Sequence, residues 1–173
     1  QQAGIPPGVI NMVNGDGVVG ASLAAHEGID KVAFTGSTAV GQSIRKSTAG
    51  QGKKLTLELG GKSAFVVFED ADLDAAVEGL VDSIWFNQGE VCCAGSRLLV
   101  QAEVAEKLHL KIKARIKQLR LGLPLDKSID LGSLVSKTQF ERVSQMVTDG
   151  LKHGGESFQA CDIDAEKNLY PPT

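Results

Sequence analysis

The chain has 173 residues, 42% of them hydrophobic and 23% charged, with a net charge of -3. This is ordinary globular composition, enough for one domain with a real core or for parts of two. There is no positive excess for nucleic acid or an anionic membrane, no apolar run long enough to cross a bilayer, and no disulfide framework in three cysteines of which two are adjacent.

Gly4 to Gly8 (G-I-P-P-G) reads as a loop punctuated by Pro6 and Pro7. Val9 to Val13 predicts a buried strand. Asn14-Gly15-Asp16-Gly17 predicts a turn, with Asp16 capping a helix through about Glu27. Lys31 to Phe34 predicts a second strand, and Thr35-Gly36-Ser37-Thr38 opens a helix through about Thr48. Strand–helix–strand–helix with tight turns predicts an α/β fold on a parallel sheet. Leu55 to Leu59 predicts a third strand, closed by Gly60-Gly61, and Ala64 to Phe68 a fourth. The domain boundary is expected between Leu59 and Lys62.

Asp70 or Asp72 is expected to cap the next helix, whose Leu73, Ala76, Val77, Leu80, Val81 and Ile84 keep to one face. After a cysteine-bearing turn and the strand-like Leu98 to Val100 comes the clearest helix. Val104, Leu108, Ile112, Ile116 and Leu119 form its stripe, and Lys107, Lys111, Lys113 and Lys117 are expected on a solvated face. Gly122 to Ser136 predicts a loop. Thr138 with Glu141 predicts a capping box for a helix through about His153, with Phe140, Val143, Val147 and Leu151 inward. The polar remainder ends in a strand-like tail. The chain has no initiator Met and halts at Thr173, so a fragment of a longer protein is expected. Reduced thiols and the lack of a leader pattern suggest a cytoplasmic location.

Four stretches could carry chemistry. Gly15-Asp16-Gly17-Val18-Val19-Gly20 matches G-x-G-x-x-G between a predicted strand and helix. The acidic residue expected about 20 positions on is missing, so a plain glycine-rich turn competes with a dinucleotide fingerprint. At Thr35 to Gly41, Gly36 and two hydroxyls lead into a helix. Its free N–H groups and dipole favour a phosphate, and simple capping by Ser37 or Thr38 is the alternative. Glu58 stands at a strand end before two glycines, either as a general base facing a cleft or as a solvent-facing residue. Phe86 to Arg97 (F-N-Q-G-E-V-C-C-A-G-S-R) places Cys92 and Cys93 in a turn, where a thiol needs a lowered pKa or an adjacent base to act as nucleophile. The alternative is a pair of small buried hydrophobes.

F-T-G-S-T-x-V-G at Phe34 to Gly41, E-L-G-G-K at Glu58 to Lys62 and the Phe86 to Arg97 stretch occur in this order and spacing. With these motifs the chain resembles the NAD(P)-dependent aldehyde dehydrogenase superfamily over essentially its whole length. The resemblance implies a Rossmann-like half sheet at 1–59, the second half of the cofactor domain. It implies the first part of an α/β catalytic domain at 60–173. Cys92 is then the nucleophile and Glu58 the general base. Gly36, Ser37 and Gly41 fall on the cofactor, with Ser37 near the pyrophosphate, and Leu59 and Gly60 are assigned with them. Gly17 and Val18 match a stretch lining the adenosine end, and Gln139 and Arg142 a helix touching the adenine ribose. No residue is assigned to a metal.

The implied reaction is oxidation of an aldehyde to a carboxylic acid with NAD or NADP, through a thiohemiacetal and a thioester on Cys92 that Glu58-activated water hydrolyses. The implied partner is a small aldehyde, with no nucleic acid and no membrane, and the parent protein is expected to be a homo-oligomer. The family's oxyanion asparagine, its ribose-binding lysine, its E-x-F-G-P segment and its oligomerisation arm have no counterpart in this chain, so isolated it is expected to be weakly active or inactive. Glu90 replaces a commoner glutamine and is expected to put a carboxylate close to Cys92, raising the pKa of its thiol. A coenzyme A-acylating enzyme is disfavoured by Glu58, and a non-catalytic scaffold by the presence of both Cys92 and Glu58.

Overall fold

A computed structural model describes residues 2–173. Parallel strands need a crossover, and this chain supplies it twice as a helix. Strand β1 (Lys31–Gly36) pairs in parallel with β2 (Lys54–Leu59) across helix α2 (Thr38–Ser47). Strand β3 (Ala64–Val67) pairs in parallel with β4 (Arg97–Val100) across α3 (Leu73–Ile84). The α/β class read from the sequence is therefore the observed one. The chain divides into two compact units, Gln1–Gly60 and Gly61–Thr173.

In the first unit the strands alternate. Val32, Phe34, Leu55, Leu57 and Leu59 are half-buried on one face, and Ala33, Thr35, Thr56 and Glu58 are exposed on the other. Helices α1 (Gly17–Ala25) and α2 contribute the buried Ala24 and Ile44. An apolar groove of about 740 Å³ remains beside them, lined among others by Leu23, Val32, Phe34 and Val40.

Val9 to Val13 forms no strand, contrary to the sequence expectation. A strand exists only by exchanging hydrogen bonds with a neighbour, and within the described residues β1 and β2 pair with each other alone. Val9, Ile10, Met12 and Val13 are accordingly 62–86% exposed. The G-x-G-x-x-G match thereby loses the strand that its fingerprint reading required.

The second unit has its own core. Val77, Leu80 and Val81 of α3 pack with Leu108, Ile112 and Ile116 of α4 (Ala102–Ile116), against Val67 of β3. Leu108 is 1% exposed, and Leu119 and Leu131 close the cluster. The lysines of α4 are more engaged than a solvated face requires. Lys111 pairs with Asp74, and Lys113 and Lys117 lie over the Phe158 ring at 5.2 and 5.5 Å.

Helix α5 spans Lys137–Lys152. Its cap is Ser136, whose Oγ accepts the Gln139 N–H at 3.2 Å, and not Thr138. Two hydroxyls stand close together here, and the backbone turn selects the earlier one. Phe140 is buried and stacks edge-on against Tyr170, but Leu151 is 47% exposed near the helix end. The tail forms no strand beyond a single bridge between Asp164 and Leu169.

Candidate active site

The cysteine turn is built from both ends. At its start, α3 stops at Trp85 and the chain enters a short 3-10 turn, Phe86–Gly89. Asn87 (φ 48°, ψ 41°) and Gln88 (φ 57°, ψ 23°) are left-handed, and Gly89 follows at φ 77°. Left-handed backbone costs a residue with a Cβ about 1–2 kcal/mol. It persists only where the surroundings over-determine it. The Gln88 N–H donates to the Trp85 carbonyl at 3.0 Å, and the Glu90 N–H to that of Asn87 at 3.0 Å.

At its far end the turn is locked onto α3. The Gly95 N–H donates to Ser83 Oγ at 2.9 Å and to the Ser83 carbonyl at 3.3 Å. A Cβ on Gly95 would sit 2.5 Å from Ser83 Oγ and 3.1 Å from Phe65 Cβ, so this position needs a glycine. Ala94 and Gly95 are buried, and Arg97 Nε donates to the Lys62 carbonyl at 2.8 Å. Cys92 and Cys93 lie between these anchors as free, exposed thiols. They are not buried hydrophobes. The Cys92 carbonyl lies against Gly61, 3.7 Å from where a Cβ would stand.

Glu90 faces the loop before α5. Its Oε2 accepts the Val135 N–H at 3.1 Å, and its Oε1 is buried without a partner. The third cysteine, Cys161, is exposed as well, but partial desolvation, and secondarily Asp162, push its thiol above the usual range.

The first unit gathers another set of residues. Gly36 ends β1, Ser37 caps α2, and Leu59 ends β2 opposite Gly36 in register. A Cβ on Gly41 would meet Leu59 Cδ2 at 2.5 Å, so glycine here leaves room for the Leu59 side chain against α2. Ser37 Oγ accepts the Val40 N–H at 3.3 Å, and the Gly41 N–H takes the Ser37 carbonyl. The N–H groups of Thr38 and Ala39 are left pointing out of the helix end. Capping and anion binding are compatible here, because Ser37 caps through its oxygen and keeps its hydroxyl proton to donate. No acidic residue stands in the first turn of α2. This donor set fits a phosphate group.

The N-terminus of α1 differs. Asp16 Oδ1 accepts the Val18 N–H at 3.0 Å, so the chain's own carboxylate occupies that end and disfavours an anion. Gly17 and Val18 are exposed. Glu58 is exposed on the outer face of β2, and among the described residues its side chain makes no hydrogen bond or ion pair. Gly60 is exposed immediately after the strand. Gln139 and Arg142 occupy the first turns of α5 in the second unit, one residue triplet apart and so on one side of the helix. Gly36, Ser37, Gly41 and Leu59 thus stand together in one unit with Glu58 nearby on β2. Cys92, Gln139 and Arg142 belong to the other.

A model of the aldehyde dehydrogenase family matches residues 1–173. The chain belongs to this family. It is 49% identical over 172 residues to an aldehyde dehydrogenase of Alternaria alternata, covering 98% of this chain and 35% of that protein. A crystal structure described as an aldehyde dehydrogenase from Burkholderia cenocepacia superposes with a TM-score of 0.92 at 39% identity, over 98% of this chain and 36% of that one. An NAD+ complex of the Bacillus cereus aldehyde dehydrogenase gives a TM-score of 0.87 at 42% identity, over 92% of this chain and 32% of that one. The chain therefore spans about a third of the length of the relatives it matches.

Sequence reasoning missed Ser83 and the Glu90–Val135 contact. Ser83 gave no signal, being a polar residue on a predicted helix. The left-handed turn was partly signalled by Asn87 and Gly89, residue types that tolerate positive φ. The Glu90 contact spans 45 residues, and no local pattern announces it.

Proposed function

We propose that this chain contributes the nucleophile, the general base and part of the cofactor site of an NAD(P)-dependent aldehyde dehydrogenase. The observation that carries the reading is the exposed Cys92 thiol, held in a turn clamped at both ends, in a chain whose whole length matches the family. Support for the cofactor comes from the donor set at the start of α2 and from the NAD+ complex of the Bacillus cereus relative. The reaction belongs to a protein containing this chain, because relatives named for the activity are about three times as long. The 173-residue chain alone carries weak activity or none.

The Cys92 thiolate attacks the aldehyde carbonyl carbon and forms a C–S bond, and the carbonyl oxygen becomes an oxyanion. The Cys92 backbone N–H is a candidate donor to that oxygen. NAD or NADP, when bound, supplies the hydride acceptor. Loss of hydride from the adduct leaves a thioester on Cys92. Glu58 takes a proton from water, the resulting hydroxide attacks the thioester carbon, and the C–S bond breaks. The products are a carboxylic acid and the Cys92 thiolate, with the proton held on Glu58 until it passes to solvent. Splitting the oxidation into two covalent steps lowers each barrier. Gly36, Ser37, Gly41, Leu59 and Gly60 form part of the cofactor site, with Ser37 near the pyrophosphate. Gly17 and Val18 line its adenosine end, and Gln139 and Arg142 its ribose.

Iodoacetamide labelling at neutral pH with peptide mass mapping, with and without NAD, tests the reading. Cys92 should label faster than Cys93, and NAD should alter its rate. Cys93 is the proper comparator, because it shares the turn, whereas desolvation and then Asp162 push the Cys161 thiol above the usual range. Equal labelling of Cys92 and Cys93, unmoved by NAD, would count against both the nucleophile and the cofactor assignment.

A further inference from the structure

We propose that Glu90 is a positioning residue, which fixes the strained turn ahead of Cys92 by accepting the Val135 N–H. The inference rests on the reading of Cys92 as nucleophile. Three observations converge on it. Asn87 and Gln88 are left-handed without being glycine, so the turn holds a conformation that would relax if released. The turn's own hydrogen bonds, Gln88 to Trp85 and Glu90 to Asn87, are short-range and move with it. The Glu90 Oε2 bond to Val135 at 3.1 Å is different, because it ties the turn to a segment 45 residues away.

A second contact lies along the same seam. A Cβ on Gly132 would meet Gln88 Nε2 at 3.5 Å, so the strained turn runs beside the Gly132–Val135 loop. That loop leads directly into Ser136, the cap of α5, and so into Gln139 and Arg142. One carboxylate therefore joins the turn that presents the nucleophile to the start of the helix assigned to the cofactor ribose. The second oxygen of Glu90 is buried and unpartnered, which costs desolvation free energy. A side chain kept there for solubility alone would not bear that cost.

The test compares Glu90→Gln with Glu90→Ala. Both remove the Glu90 charge, but the glutamine carbonyl can still accept the Val135 N–H. Amide hydrogen exchange reads the bond, and iodoacetamide reads the thiol. In Glu90→Ala the Val135 amide should exchange faster on the order of tenfold, the effect of losing a hydrogen bond to a charged acceptor. In Glu90→Gln it should stay within about threefold of the parent. The Cys92 labelling rate should then differ between the two variants, with Cys161 unchanged in both. Protection of the Leu108 and Ile112 amides in the same experiment shows that the core is folded.

Equal Val135 exchange in the two variants overturns the contact. Faster exchange in Glu90→Ala with the same Cys92 rate as in Glu90→Gln overturns the positioning role. If the parent's Cys92 labels no faster than Cys93, the nucleophile reading fails, whereas the exchange result still decides the contact.

Discussion

The two units are each built on a parallel strand–helix–strand pair, yet they hold their candidate residues in opposite ways. Among the described residues the first unit buries only Ala24 and Ile44 as aliphatic or aromatic side chains, while the second buries fourteen. In the second, α3 and α4 sandwich a continuous cluster, and the cysteine turn is bolted to α3 through Ser83. In the first, the sheet has one half-buried face and one bare face, and Glu58 stands on the bare one. A turn anchored on a packed helix carries its own geometry. A carboxylate on an open strand face has only backbone pairing to direct it.

The comparison can be broken most directly by removing core volume from each unit. Leu108→Ala should cost about 2–5 kcal/mol, because Leu108 is sealed inside the α3–α4 cluster and the cavity cannot collapse. Ile44→Ala should stay below about 2 kcal/mol, since the adjoining groove already admits solvent and lets the site relax. Denaturant titration followed by Trp85, the one tryptophan, reports the second unit, and exchange of the β1 amides reports the first. Equal losses in both units would remove the distinction.

Next in size is the clamp on the cysteine turn. Gly95→Ala should destabilise the second unit by about 1–3 kcal/mol, because the new methyl overlaps Ser83 and Phe65 near their backbones. It should also shift the Cys92 labelling rate relative to Cys161. A neutral Gly95→Ala would mean that the turn yields easily and is not held as described.

The smallest expected effect is electrostatic and lies at the edge of the second unit. Hydrogen bonds from the Arg120 side chain, and then from its backbone N–H, hold Asp130 down to about 2 from the usual 3.8. A lowered carboxylate contributes stability that is present above 3.8 and lost as pH falls through about 2. The pair is largely solvated, so its contribution is small and sensitive to salt. Unfolding midpoints of the parent and Asp130→Asn should differ slightly at pH 5 and converge near pH 2. A gap that persists at the lower pH would assign the effect to packing.

The elements with strong local signals were legible in order. Helices α3 and α4 followed from their apolar spacing, whereas the caps were narrowed only to Asp70 or Asp72 and to Ser37 or Thr38, of which Asp72 and Ser37 are the observed ones. Val9 to Val13 was misread for a physical reason: apolar β-branched residues declare that a strand is possible, but only a neighbour makes one. The cap of α5 was misplaced because Ser136 and Thr138 satisfy the same local rule.

The amino-acid sequence by itself determined the α/β class, the helix stripes, and which residues the family motifs single out, since each depends on side-chain type and spacing along one stretch of chain. Tertiary structure alone decided that Cys92 and Cys93 are exposed, and that Gly95 is clamped by Ser83. It also decided that Glu90 reaches Val135. The reason is common to all three. Burial, free hydrogen-bonding capacity and close approach are properties of what lies opposite a residue, and most of those opposing groups lie far away in sequence.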